Sequence, residues 1–197
     1  MTIRYTVRVD AFTIRTRYAA VAGLCTLLIL VPATLRDTLV YYGLLTNKAA
    51  LADIVSFLLY LLLQVSYVVY TYGYVLLGKH FRLQSLSTVG YIQVVTHFLY
   101  FAAPLALLFL PLQAGYAINT PLNLVDSASE LFAGLILVKL RVDLGLLAVL
   151  TGVAEMIWAL SEMFGIGLGA TIGLSGDYLA FPFFLLGTML LFRASLE

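Results

Sequence analysis

The sequence predicts an all-α bundle of membrane-spanning helices, and composition, hydropathy pattern and charge placement each support that fold class. Of the 197 residues, 62% are hydrophobic and only 11% are charged, whereas a soluble domain carries about 25% charged residues. The mean hydropathy of +1.03 leaves little surface suited to water. We therefore expect a multi-pass integral protein of the cell membrane whose main partner is the lipid bilayer.

The hydropathy pattern predicts six spans, because a helix needs about 20 mainly apolar residues to cross a bilayer. The apolar runs lie near residues 18–35, 50–77, 86–111, 122–140, 144–164 and 178–192. The last run is short, and the glycine-rich stretch 165–176 before it fits a loop, a re-entrant segment or more helix, so five to seven spans remain compatible with the pattern. Residues 18–193 are expected to form a single transmembrane domain.

The placement of basic residues predicts the topology. In a six-span arrangement, nine of the eleven basic residues fall on one side of the membrane: Arg4, Arg8, Arg15, Arg17, Lys79, Arg82, Lys139, Arg141 and Arg193. The other side has only Arg36 and Lys48. Because cytoplasmic loops carry an excess of Lys and Arg, both termini are predicted to be cytoplasmic. Residues 1–17 are expected to be a basic cytoplasmic or interfacial segment.

Several classes of function are disfavoured by the composition. The longest stretch outside an apolar run is the N-terminal segment, so no soluble catalytic or nucleic-acid-binding domain fits, and the net charge of +1 argues against a polyanion binder. The single cysteine, Cys25, excludes an internal disulfide and a CxxC motif. No lysine lies mid-span to hold retinal, and one deep histidine disfavours bis-histidine haem ligation. No cofactor is expected.

Two carboxylates within the apolar runs are the main candidates for function. Counting from Arg141 at the centre of the turn between the fourth and fifth runs, Glu130 and Glu155 lie at depths of about 16 and 21 Å by helical rise. A charged group near the bilayer centre costs about 2.5–3.5 kcal/mol. Both residues are therefore expected to face the interior of the bundle, where they would form a central proton or cation site.

Five further polar residues are expected to extend this site. Asp126 lies one turn above the first carboxylate and Glu162 two turns above the second, which predicts an outer access path. His97 lies at a depth of about 16 Å in the third run. Gln93, one turn below it, would complete an inward relay, and Gln64 near the middle of the second run would join the same layer.

Three functions are compatible with this pattern. The leading hypothesis is movement of a small cation or a proton-coupled solute through a polar interior lined by midplane carboxylates. One alternative is a metal-dependent intramembrane enzyme, in which His97, Glu130 and Glu155 hold a metal ion suited to carboxylate and imidazole. The other is a non-catalytic subunit whose polar residues contact a membrane-protein partner or a second copy of the chain.

Tyrosines recur along the second run with a period of seven. Tyr60, Tyr67 and Tyr74 therefore share one face of the predicted helix. The pattern favours packing together with an interfacial aromatic belt. The alternative is a cavity wall that holds an organic cation by attraction to the ring faces.

Overall fold

The computed structural model confirms the all-α fold class. It describes residues 11–41, 50–107, 112–163 and 177–196, with side chains at 11–31, 57–102, 121–163 and 180–196. These residues form six long helices and no strand: α1 (Ala11–Tyr41), α2 (Ala50–His80), α3 (Gln84–Leu107), α4 (Leu112–Leu137), α5 (Leu146–Met163) and α6 (Asp177–Ala194). Each coincides with one of the six apolar runs. A 3₁₀ turn (Val138–Leu140) and a short helical turn (Arg141–Leu144) join α4 to α5.

Four helical segments are long and apolar enough to cross a membrane. Within the described residues they are Ala11–Val31, Phe57–His80, Pro121–Leu144 and Leu146–Met163, and a shorter apolar helix covers Ala180–Ala194. Helix α1 begins at Ala11, so the second part of the basic segment continues into the first long helix. The first ten residues of that segment and the glycine-rich stretch 165–176 lie outside the described residues.

The six helices form a closed ring in chain order. Each helix packs against the next one, and α6 returns to pack against α1. Neighbours run antiparallel: Phe12 at the start of α1 stacks on His80 at the end of α2, with ring centroids 3.9 Å apart. Consequently the α2–α3 turn, the α4–α5 turn, the start of α1 and the end of α6 share one end of the bundle.

This end of the ring carries the positive charge, and we refer to it as the basic end. Among the described side chains, every Lys and Arg lies there: Arg15, Arg17, Lys79, Arg82, Lys139, Arg141 and Arg193. The α2–α3 turn closes with Arg82 in the left-handed region at φ 56°, while the N–H of Leu83 donates to the carbonyl of Gly78 at 2.7 Å. These features are typical of a Schellman helix end, with arginine where glycine is usual.

The distribution of side chains is inverted relative to a soluble bundle. Large apolar side chains such as Leu58, Leu62 and Phe98 are exposed on the outside of the ring, whereas His97 and Glu155 are buried inside it. Contiguous apolar surfaces of this extent are rare on soluble monomers and are suited to lipid.

Two glycines set the distance between α4 and α5. A Cβ atom added at Gly134 would lie 2.5 Å from the carbonyl oxygen of Gly152, and one added at Gly152 would lie 3.0 Å from a methyl group of Val138 and closer still to the carbonyl oxygen of Gly134. The two backbones thus meet directly, as small residues permit where helices pack in lipid. This contact lies one turn from Glu130 on α4 and from Glu155 on α5.

We predict that Gly152→Val forces α4 and α5 apart and destabilises the protein by about 1–3 kcal/mol, as overpacking of a tight contact does. Val153→Ala, at a neighbouring residue exposed on the outside, is the control and should change stability by less than about 0.5 kcal/mol. Unfolding in a detergent titration, followed by circular dichroism, measures both. Equal stability of the two variants would contradict the close α4–α5 contact.

Candidate functional site

A cavity of about 470 Å³ lies inside the ring, and all six helices contribute to its wall. Its size is within the 300–1,000 Å³ typical of small-molecule sites. The lining residues are Leu30, Tyr60, Leu63, Gln64, Tyr67, His97, Tyr100, Asn123, Asp126, Glu130, Trp158, Glu162 and Ala180. Five of the seven residues predicted as a site from the sequence therefore share one cavity.

The cavity occupies the part of the bundle away from the basic end. By helical rise, its lining residues lie about 15–30 Å from that end. Between the cavity and the basic end, large apolar side chains fill the ring; the fully buried leucines there are Leu77, Leu86, Leu137, Leu140, Leu190 and Leu191. We call these six residues the leucine layer. The layer lies between the cavity and the basic end.

The centre of the site is an acidic face of α4. Asp126 and Glu130 are one turn apart and are only 5% and 3% exposed. The Nε2 atom of His97 lies 3.8 Å from Oδ1 of Asp126, and Trp158 lines the cavity together with Glu130. Oδ1 of Asp126 and Oε2 of Glu130 have no hydrogen-bond partner among the described groups. Two buried acceptors on this face are thus available to a ligand.

Hydrogen bonds between helices hold the remaining polar wall in place. The hydroxyl of Ser127 on α4 donates to Oε2 of Glu162 on α5 at 3.1 Å. The hydroxyl of Tyr60 donates to the carbonyl of Tyr100 at 3.1 Å, and the hydroxyl of Tyr100 donates to Oδ1 of Asn123. These contacts link α2 to α5 through α3 and α4. The polar residues around the cavity therefore also hold neighbouring helices together.

The cavity wall is acidic. Asp126, Glu130 and Glu162 are carboxylates, and none of the described residues that line the cavity is Lys or Arg. Fields from like charges add in a surrounding of low dielectric. The arrangement therefore favours a positively charged occupant.

Aromatic rings complete the wall, and the tyrosine stripe of α2 divides between two roles. Tyr60 and Tyr67 line the cavity, and the ring of Tyr67 lies 4.5 Å from the ring of His97. Tyr74 lies nearer the basic end, where its hydroxyl and that of Tyr70 are 2.8 Å apart and both rings are buried. Tyr60 and Tyr67 thus form part of a cavity wall, as one interpretation of the sequence expected, whereas Tyr74 packs inside the bundle, as the other expected.

Glu155 and Gln93 lie outside the cavity. Glu155 is fully buried, and Nε2 of Gln93 on α3 donates to its Oε1 at 3.4 Å across the ring. Oε2 of Glu155 and Oε1 of Gln93 have no hydrogen-bond partner in the part of the chain that the structure describes. The two central carboxylates expected from the sequence thus occupy different surroundings, since Glu130 faces the cavity and Glu155 is packed between helices.

The metal-dependent alternative receives no support from this arrangement. Within the described ranges, no three His, Cys, Asp or Glu side chains are placed to hold a metal ion. Of the three ligands considered, His97 and Glu130 line the cavity, whereas Glu155 does not.

Three polar or aromatic residues of the cavity were missed by the sequence reasoning. Asn123 lies three residues before Asp126, Tyr100 three after His97, and Trp158 four before Glu162. Each is one helical turn from a predicted site residue and so shares its face. Helical spacing from the ionisable residues was the signal that could have identified them.

Comparison with known proteins gave no relative: no family model, no curated protein and no solved structure matches the chain. The chemistry of the cavity is therefore the basis for a functional assignment.

We predict that single cysteines report the difference between the cavity and the packed pair. In a Cys25→Ala background, Asp126→Cys and Glu162→Cys should react with a small water-soluble thiol reagent, because these residues line the cavity. Glu155→Cys should react only after denaturation, because this residue is fully buried. Mass spectrometry of the labelled protein measures all three. Reaction at Glu155→Cys as fast as at Asp126→Cys would contradict the separation.

Proposed function

We propose that this chain is a six-span protein of the cell membrane that moves a small cation or a proton-coupled solute through the interior of its helical ring. The single observation that carries this proposal is the acidic cavity enclosed by apolar helices. Both termini are assigned to the cytoplasm because the described basic residues gather at the end of the bundle that carries the start of α1 and the end of α6.

The buried charges of the cavity support transport over a purely structural role. Hydrogen bonds across helices stabilise membrane bundles by about 0.6 kcal/mol on average, while an ionised carboxylate at the bilayer centre costs about 2.5–3.5 kcal/mol. A purely structural role would gain little from leaving Asp126 and Glu130 with unpartnered oxygen atoms. A cation that visits these atoms, or a proton that neutralises them, removes that cost.

The polar residues suggest the order of events along the path. A cation would enter from the end opposite the basic end, near Glu162 and Asp126, and would reach Glu130 with His97 beside it. Gln93 lies one helical turn from His97 toward the basic end and donates to Glu155 at about the level of Glu130, and this pair would receive the cation next. The leucine layer closes the remaining path, so passage requires the ring to open at that level, as in alternating access.

We predict that Glu130→Gln reduces cation or proton flux at least tenfold, which corresponds to about 1.4 kcal/mol. The amide preserves the volume of the side chain and removes the charge at the centre of the cavity. Purified protein in liposomes, loaded with a pH-sensitive dye and subjected to gradients of protons and monovalent cations, provides the measurement.

The matched control for this experiment is Asp143→Asn. It removes one carboxylate by the same chemistry at an exposed position of the α4–α5 turn, remote from the cavity. This variant should keep full flux. Unchanged flux in Glu130→Gln, or equal loss in both variants, would refute the proposed role of the cavity.

The topology has its own test. Reporters fused to the N-terminus and to the C-terminus, one type active only in the cytoplasm and the other only outside, should both indicate a cytoplasmic location. Termini on opposite sides would require an odd number of spans and would contradict the six-span arrangement.

A further inference from the structure

We propose that the cavity binds a small organic ammonium ion, whose charge lies against Asp126 and Glu130 and whose carbon skeleton packs against the aromatic wall. This inference rests on the proposed function, because it names the class of solute that the acidic cavity accepts.

The size of the cavity favours an organic ion over a bare inorganic one. Its 470 Å³ correspond to the volume of roughly fifteen water molecules. A dehydrated hard cation requires about six oxygen ligands at 2.0–2.6 Å. Within the described residues, no cluster of three His, Cys, Asp or Glu side chains could hold a metal ion. The carboxylates are Asp126, Glu130 and Glu162, which line the wall without forming such a cluster. This arrangement suits a cation that has a carbon skeleton.

The aromatic residues define the remainder of the ligand. Tyr60, Tyr67, Tyr100 and Trp158 line the same space as the carboxylates. Faces of aromatic rings attract ammonium groups, more strongly when water is excluded, and they also pack against alkyl chains. A proton or a hydrated metal ion gains little from such a wall.

Unpartnered acceptors supply the second, independent observation. Oε1 of Gln64, Oδ1 of Asp126 and Oε2 of Glu130 have no hydrogen-bond partner among the described groups, and each residue is at least nine-tenths buried. A primary ammonium group carries three N–H donors and no acceptor. An ammonium group therefore supplies the kind of donor that these buried acceptors lack.

The chain contains its own reporter for this binding. Trp158 is the single tryptophan of the sequence, lines the cavity and is 8% exposed. An ion that enters the cavity changes the surroundings of this indole, and hence its fluorescence. We would titrate purified protein in detergent with n-butylammonium chloride, with butan-1-ol and sodium chloride as the neutral and inorganic counterparts. Saturable change with butylammonium alone supports the inference, whereas equal responses to sodium chloride, or no response to butylammonium, overturn it.

Variants connect the response to the named residues. Glu130→Gln should weaken butylammonium binding about tenfold, equivalent to 1.4 kcal/mol, while Asp143→Asn leaves it unchanged. Tyr60→Leu removes an aromatic ring from the cavity wall and should bind more weakly, whereas Leu62→Ala, at a residue exposed on the outside of the ring, should bind as the native protein does. Stabilisation by butylammonium in thermal unfolding, followed by circular dichroism, provides a readout that is independent of the indole. Equal binding by all four variants would overturn the inference.

The outcomes separate this inference from the proposed function. Proton or sodium flux that depends on Glu130, without butylammonium binding, would overturn the organic ligand and leave transport in place. Saturable butylammonium binding without flux of any tested ion would support the site and refute transport.

Discussion

The cost of placing charge among apolar helices is the constraint on which this structure depends. Helix α4 carries Asp126 and Glu130 on one face, while Phe132 and Leu135 are exposed on the other. A helix with two carboxylates near its middle gains little from insertion alone, because their cost offsets most of the gain from its apolar residues. Neighbours on both sides of α4 must shelter that face, and the closed ring provides them. The cavity and the fold are therefore consequences of the same residues.

The ring shelters its carboxylates in two different ways. Gly134 and Gly152 bring α4 and α5 into backbone contact, and Glu130 and Glu155 each lie one turn from that contact on the side away from the basic end. Glu130 faces the cavity with one oxygen atom unpartnered, whereas Glu155 accepts a hydrogen bond from Gln93 and is fully buried. Whether a ligand can reach a carboxylate therefore depends on the face of the helix that carries it. The depth of the residue in the membrane does not decide this alone.

That distinction explains what could and could not be predicted from the sequence. Helix positions followed from hydropathy, because each backbone polar group must be satisfied within its own segment when water is absent. The inward orientation of Asp126, Glu130 and His97 followed from the cost of exposing charge. The sequence placed Glu130 and Glu155 in one central site, whereas only Glu130 lines the cavity. Helical rise gives the depth of a residue but does not tell which neighbouring helix its face meets. Membership of Trp158 and Tyr100 in the cavity likewise required the order of helices around the ring.

The two ends of the ring interior differ in polarity, because the leucine layer lies at the basic end and the acidic cavity lies away from it. The cavity lies away from the basic end and the leucine layer lies near it, with the Gln93–Glu155 hydrogen bond and the Tyr70–Tyr74 hydroxyl pair between them. Toward the basic end, the buried polar groups beyond Gln93 and Glu155 are hydroxyls, among them those of Tyr74 and Thr188. The α2–α3 and α4–α5 pairs are tied by short turns at this end, so each pair is constrained to move as a hairpin. In the transport that we propose, opening of the layer would separate hairpins from their neighbours in the ring, while the contact between Gly134 and Gly152 inside one hairpin stays closed.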